Sequence, residues 1–321
     1  MIKISIWILL LLVLFTSPFI GAVSINVDEI FTSDSLSSQI FLDLRLPRVL
    51  FAFFAGVILS LSGLLFQTLF RNALMTPYTL GISSGAVLGA GIAIKLGLGS
   101  LVFGIAAISI FGFLGAIFTV FLLVYLSQFL KSSQHESLLL LGIALSLFYT
   151  SSLMIIFYLG DAMQNDMLIR FTMGSLSVIG WQHPILLGSI AVFVFFSIYL
   201  YRYELQLLSI SDSQASLKGI NTKKVTLTLL IISSLGIGTL VSISGPIGFI
   251  GLIVPHIVAK LHPTTVNKRV LSTALFGGAF LVLCDTITRA ITTQSELPIG
   301  IITALIGGPF FIYLIITKSK R

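Results

Sequence analysis

Charged residues and cysteine are both scarce in this sequence. Only 9% of its 321 residues are charged, whereas 56% are hydrophobic and the mean hydropathy is +1.11. Soluble domains carry about 25% charged residues, so this chain could not cover a water-facing surface and must be solvated by lipid. The single cysteine, Cys284, excludes an internal disulfide framework and any metal site built from several cysteines.

Several catalytic and energy-coupling patterns are also missing. The four histidines, at positions 135, 183, 256 and 262, lack the spacing of metal ligands, so no metal site is predicted. No paired acids, HExxH or Ser-His arrangement occurs, which disfavours an intramembrane enzyme and predicts no catalytic residues. No GxxxxGKS or GxxxxGKT phosphate loop occurs either, so any ATP that drives this protein must bind to another chain.

Ion-coupled carriers usually place ionisable groups within the membrane. No carboxylate lies in the middle of a clearly apolar stretch of this sequence, which disfavours an ion-coupled carrier. Asp285 comes closest, and it lies four residues before Arg289 on the same predicted helix face, where an ion pair can form.

Long apolar stretches dominate the chain. Each is expected to be helical, because backbone groups that face lipid need partners within their own segment. We therefore predict an all-α polytopic membrane protein with about ten transmembrane helices. The first stretch is predicted to be an uncleaved helix rather than a signal peptide, because its apolar run exceeds a typical signal core. The predicted spans are residues 4–23, 49–70, 79–98, 101–126, 137–159, 185–201, 225–243, 247–261, 270–288 and 299–317, and residues 160–184 form an extramembrane or partly inserted connection.

Basic residues are distributed unevenly between the predicted loops. With both termini inside, 13 of the 18 Lys and Arg residues and only three of the 11 acids face the cytoplasm. This bias orients membrane proteins, so the net charge of +7 implies membrane lipid and no nucleic acid. The longest internal polar segment is residues 202–224, where Ser211 or Ser213 could cap a short helix and Gly219 could end it. It is either a docking element or a solvated loop.

Small residues are concentrated in the stretch LGISSGAVLGAG. Gly81, Gly85 and Gly89 lie four residues apart, which predicts a helix face that approaches a neighbouring helix closely. Ser83 and Ser84 could bond to backbone or line a polar path.

The stretch GPIGFIGLIVPH combines glycine and proline within apolar sequence. It includes Pro246, Gly248, Pro255 and His256. Pro255 removes a backbone donor and predicts a kink, and broken helices at membrane depth line a cavity or are buried in protein. His256 is interpreted as a histidine bonded to a neighbouring helix, with a ligand contact as the alternative.

Three long segments are similar to one family. RLPRVLFAFFAGVILSLSGLLFQTLFRNALMTPYTLGISSGAVLGA (Arg45–Ala90), GPIGFIGLIVPHI and ELPIGIITALIGGPFFIYLI (Glu296–Ile315) strongly resemble the iron-siderophore and cobalamin permease family of ABC importers. The resemblance implies a type II importer architecture, with residues 1–321 as one transmembrane permease domain in a bacterial cytoplasmic membrane. It also implies a second permease subunit, in a homodimer or a paralogous heterodimer, an extracytoplasmic substrate-binding protein, and ATPase subunits that bind the ATP, with no cofactor on this chain. The implied substrate is a ferric siderophore, although relatives carry haem, cobalamin or molybdate.

The resemblance also assigns roles at both faces. A short helical element between the sixth and seventh spans contacts the ATPase in this family, and Asp212, Ala215 and Gly219 match it within the docking loop at 202–224. Lys218 departs from the family there, because an apolar residue is common at that position. Residues 72–77 read Asn-Ala-Leu-Met-Thr-Pro where the family usually has Asn-Pro-Leu-Ala-Asp-Pro.

On the outer face, family members dock acidic residues of the binding protein onto arginines that match Arg45, Arg48 and Arg289. From the residues alone, these arginines could instead snorkel to lipid headgroups, or pair with Asp43 and Asp285.

Overall fold

A computed structural model describes residues 2–21, 23, 25–30, 35–98, 101–102, 105–127, 129, 134–291 and 297–319. Helices dominate these ranges, in which the one sheet is the two-residue antiparallel pair β1 Leu101–Val102 and β2 Ile105–Ala106. Short 3-10 turns cover Ser17–Phe19 and Val27–Glu29, and a π-helical segment, Ile40–Arg45, joins α2 to α3. The α-helices are α1 Ile2–Thr16, α2 Leu36–Gln39, α3 Leu46–Leu69, α4 Ile82–Lys95, α5 Ala107–Ser127, α6 Gln134–Leu159, α7 Ala162–Met173, α8 Gln182–Leu200, α9 Arg202–Leu208, α10 Asp212–Leu217, α11 Thr222–Ser244, α12 Ile250–Leu261, α13 Val266–Ile291 and α14 Ile299–Ser319.

The predicted spans correspond to apolar helices, which confirms the all-α membrane fold. In the part of the chain that the structure describes, six helices are long and apolar enough to cross a membrane, and four shorter apolar helices account for the other predicted spans. The first helix ends at Thr16, earlier than predicted, and Pro18 follows in a 3-10 turn. The connection predicted at 160–184 contains α7, which Asp161 caps through the amide of Gln164. Lys131, Lys320 and Arg321 of the predicted inner face, and Glu296 of the third motif, lie outside the described residues.

Helix α3 forms the centre of the bundle. In the helix Leu36–Leu69, 83% of the most apolar stretch of 18 residues is buried. Helices α8, α12 and α13 all pack against α3. A β-carbon built on Gly56 would overlap the backbone of Gly277, and one on Gly63 would overlap the backbone of Gly251. Glycine therefore lets α3 meet α13 and α12 at backbone contact, as small residues do in membrane bundles.

Gly85 and Gly89 pack α4 against α5. A β-carbon on Gly85 would overlap the Thr119 hydroxyl oxygen, and one on Gly89 would overlap the carbonyl oxygen of Phe111. The predicted glycine face therefore does approach a neighbour closely, but the prediction is wrong for Gly81. Gly81 precedes α4 with φ at +78°, a left-handed conformation that glycine adopts without steric cost, and it faces α6 instead.

The GPIGF sequence separates α11 from α12. Gly245 and Phe249 both have positive φ, at +69° and +67°, so the chain turns between the two helices, before it reaches Pro255. Pro255 lies inside α12 and supplies no amide proton for the Gly251 carbonyl one turn earlier. Gln67 Nε2 of α3 donates to that carbonyl at 2.9 Å, so a neighbouring helix replaces the missing bond.

Candidate functional site

A buried ion cluster joins α3 to α13 on the side predicted to face outside. Asp285 is fully buried, and its Oδ1 accepts hydrogen bonds from Arg48 Nε at 3.0 Å and Arg48 Nη2 at 2.9 Å. Its Oδ2 accepts from Arg289 Nε at 2.9 Å, which confirms the predicted ion pair within α13. A buried carboxylate is stable only when it is paired and hydrogen-bonded, so Asp285 depends on both arginines.

The same cluster holds the segment that follows α1. Arg289 donates through Nη2 to the Ser17 hydroxyl at 2.7 Å and through Nη1 to the Ser17 carbonyl at 3.1 Å. Arg45 donates to the carbonyls of Pro18, at 3.3 Å, and of Val23. The arginines therefore add side-chain donors to the carbonyls of Ser17, Pro18 and Val23 in the segment beyond the helix end.

The three predicted docking arginines thus lie in one cluster, but they are more buried than expected for an outer surface. Arg45, Arg48 and Arg289 are 7%, 8% and 8% exposed. The alternative in which arginines pair with Asp285 is confirmed for Arg48 and Arg289, whereas the Arg45 bonds described above go to backbone carbonyls. Among the described residues, the three arginines outnumber the Asp285 carboxylate, and this excess of positive charge favours attraction of an acidic partner.

At the opposite end, the loop predicted at 202–224 forms two short helices, α9 and α10. The Ser211 hydroxyl accepts from the Gln214 amide at 3.0 Å and caps α10, while Gly219, with φ at +80°, follows its end. These are the predicted start and stop signals. Asp212 lies 2.9 Å from Arg71 Nη2, so α10 is tied to the turn that follows α3.

The two faces of α10 differ sharply in exposure. Ala215, one of the predicted coupling residues, is fully buried, whereas Leu217 is 87% exposed. Ala215 is therefore placed to hold α10 against the bundle, and Leu217 is an exposed apolar side chain of α10. Leu217 was not predicted from the sequence, because motif positions do not assign the two faces of so short a helix.

The predicted pathway residues do not converge on one pocket. Ser83 and Gly85 are buried within α4, and Ser84 beside them is partly exposed. Pro246 is buried in the break between α11 and α12, where the next glycine, Gly248, is partly exposed. Pro255 and His256 instead line a cavity at the predicted cytoplasmic end.

His256 bonds within its own helix. Its Nδ1 lies 2.8 Å from the Leu252 carbonyl oxygen, one turn earlier in α12. Because a carbonyl only accepts, this nitrogen carries the proton. The bond fixes the ring at the cavity wall, a placement that the interpretation as an interhelical partner did not anticipate.

Comparison with known proteins covers nearly the whole chain. Residues 9–317 match the FecCD transport family. The hemin transport system permease protein of Yersinia pestis is 34% identical, over 98% of this chain and 95% of that protein. A probable iron chelatin transport system permease protein of Helicobacter pylori strain 26695 is 35% identical, over 91% of this chain and 88% of that protein.

The fold also matches a solved structure. A metal-chelate type ABC transporter in an inward-facing conformation superposes with a TM-score of 0.86 at 28% identity, and the match covers 98% of this chain and 99% of the other. The apolar helices and these relatives place the chain in the cytoplasmic membrane as a multi-pass protein. The chain belongs to the FecCD transport family and is a permease of an ABC importer.

Proposed function

We propose that this chain is the permease subunit that carries a ferric siderophore inward across the cytoplasmic membrane by alternating access. The observation that carries the proposal is the family match over residues 9–317, with relatives that are named for iron chelate and hemin transport. The chain itself performs no covalent chemistry in this account. ATP binding and hydrolysis on separate subunits shift the permease between its outward-open and inward-open states.

Coupling to the ATPase is assigned to α10. Leu217 provides exposed apolar surface, while the Arg71–Asp212 pair links α10 to the cytoplasmic end of α3. Because α3 is the most buried helix of the bundle, a displacement of α10 is transmitted to the centre of the subunit rather than absorbed at its edge.

Capture of a substrate-binding protein is assigned to the outer arginine cluster. The residual positive charge around Arg45, Arg48 and Arg289 attracts acidic side chains and raises the association rate. Arg45 has no carboxylate among the partners described above, so it can engage a partner without breaking the pairs at Asp285. Two copies of the permease, or this chain with a paralogous one, complete the pathway in this proposal.

Haem, cobalamin and molybdate are the alternative substrates, because related permeases differ in what they carry. An ion-coupled secondary transporter is the alternative mechanism. The substrate is tested by measuring ATPase stimulation of the reconstituted importer with its cognate binding protein loaded with each compound. Preferential stimulation by a ferric siderophore supports the proposal. Stimulation only by haem, cobalamin or molybdate would replace the substrate while retaining the importer class.

A further inference from the structure

A cavity of about 360 Å³ opens at the predicted cytoplasmic end of the subunit, beside α10. It lies between the ends of α3 and α12 and the start of α13. Among the described residues, its lining combines apolar side chains with cationic, amide and hydroxyl groups and contains no carboxylate. The lining residues are Leu64, Gln67, Thr68, Arg71, Ala73, Ser209, Pro255, His256, Ala259, Val266 and Arg269.

Arg269 is the least satisfied of these groups. It is only partly exposed, and its Nε is buried without a hydrogen-bond partner among the described residues. A buried donor left without an acceptor costs about 1–3 kcal/mol, and more when the group is charged. Arg269 itself lines the cavity, so an oxyanion that enters lies beside this side chain.

Arg71 adds a second cation in an unusual backbone conformation. Its φ is +48°, which is uncommon for a residue other than glycine, and such conformations persist where the surroundings hold them. Asp212, which does not line the cavity, neutralises the charge of Arg71. The three residues Arg71, Asp212 and Arg269 therefore carry a net charge of one positive unit, which is that of Arg269. The electrostatic balance therefore favours a ligand with at least one negative charge.

Other polar side chains of the lining already donate hydrogen bonds to backbone carbonyls. The guanidinium groups therefore remain as donors for such a ligand. The Thr68 hydroxyl donates to the Leu64 carbonyl at 2.6 Å, and the Ser209 hydroxyl donates to the Gln206 carbonyl at 2.6 Å. Gln67 is engaged by the Gly251 carbonyl, as described above. Arginine guanidinium groups bind phosphate and carboxylate oxygens through two parallel hydrogen bonds.

We propose that this cavity is a binding site for a phosphate-type oxyanion, held by Arg269 and Arg71. Two sources share this chemistry: free inorganic phosphate and the headgroup of an anionic lipid. The anion competes with Asp212 for Arg71, so its binding loosens the link between α3 and α10. The site thus connects the anion content of the cytoplasmic side to the coupling helix, whatever substrate the permease carries.

The first experiment titrates the purified permease in detergent with sodium phosphate, against sodium chloride at matched ionic strength, and follows its melting temperature. Phosphate should stabilise the wild-type protein more than chloride does. Arg269→Gln should weaken the apparent phosphate affinity about tenfold or more, the loss expected when a charged hydrogen-bond partner is removed. Lys268→Gln is the matched control, because Lys268 is exposed, is adjacent in sequence and does not line the cavity. It should leave the phosphate response unchanged.

The second experiment compares nanodiscs of phosphatidylcholine with nanodiscs that also contain phosphatidylglycerol, and counts retained lipids by native mass spectrometry. Retention of phosphatidylglycerol by the wild type and by Lys268→Gln, but not by Arg269→Gln, identifies the lipid headgroup as the ligand. A phosphate response in detergent without retention of phosphatidylglycerol identifies the free ion. Absence of any preference for the anion by the wild-type protein in both experiments overturns the site, and this result does not depend on whether a variant folds.

Discussion

Replacing Asp285 with asparagine should destabilise the subunit strongly, although it hardly changes side-chain shape. The substitution removes the carboxylate that pairs with both Arg48 and Arg289, each of which is 8% exposed. Removing one partner of a buried ion pair typically costs about 3–5 kcal/mol. The asparagine oxygen can still accept one arginine bond, so we expect a loss near the lower end, about 3 kcal/mol.

The assay is unfolding of the purified subunit in detergent, with Asp166→Asn as a matched control. Asp166 and Arg170 form an ion pair at 2.8 Å with the same spacing of four residues, but their side chains are 61% and 78% exposed. Exposed pairs contribute little to stability, so the control should unfold almost like the wild type. Equal losses in the two variants would refute the argument that burial makes the Asp285 cluster important.

A double variant tests the electrostatic origin of the loss. Adding Arg289→Gln to Asp285→Asn removes one of the two cations that paired with Asp285, so the double variant should be more stable than the sum of the two single losses implies. Strict additivity would show that the residues act through packing rather than through their charges.

Three further predictions concern docking, packing and coupling. Arg45→Glu should slow association with the cognate binding protein, most clearly at low salt, in stopped-flow or surface-binding kinetics; an association rate that is unchanged across a salt series would reject the docking role. Gly85→Leu should lower the stability of the subunit in detergent by about 1–3 kcal/mol because it overpacks the contact with α5. Gly308→Leu, which places its β-carbon in open space, should be tolerated, and comparable losses would contradict the contact. Leu217→Asp should reduce the stimulation of ATPase activity by substrate-loaded binding protein in proteoliposomes. Ser216→Asp, at the neighbouring exposed position of α10, should not reduce it. Identical effects would point to added charge rather than to lost apolar contact.

The helical architecture was predictable from the sequence because it depends on local composition. A long apolar run in lipid has no structural option other than a helix, so the spans follow from hydropathy alone. Short-range signals were also sufficient around α10, where the Ser211 cap and Gly219 mark the predicted start and end. The ion pair between Asp285 and Arg289 followed from their spacing on one helix.

Features that depend on contacts between distant segments were not predictable. The turn at Gly245 and Phe249 lies before Pro255, and the carbonyl that the proline leaves free is satisfied by Gln67 of another helix. Spacing alone placed Gly81 on the same helix face as Gly85. The left-handed conformation of Gly81, which lies just before α4, has no signature in that spacing.

The burial of the arginines has the same origin. Hydropathy locates the outer end of a span, but it does not reveal that the segment after α1 folds over that end. Arg45 and Arg289 bond to this segment through carbonyls around Ser17 and Pro18, more than 20 residues from either arginine. A charge at a predicted helix end can therefore be either exposed or enclosed, and only the three-dimensional arrangement separates the two.

In the proposed mechanism, ATP hydrolysis on partner subunits drives inward transport through this chain. This mechanism is tested most directly by uptake of a radiolabelled ferric siderophore into proteoliposomes that contain this permease, any paralogous permease subunit, the cognate ATPase and the binding protein. ATP enclosed on the ATPase side should drive accumulation that requires the binding protein and is insensitive to ionophores. Accumulation driven by a proton or sodium gradient without ATP, and abolished by ionophores, would contradict the account.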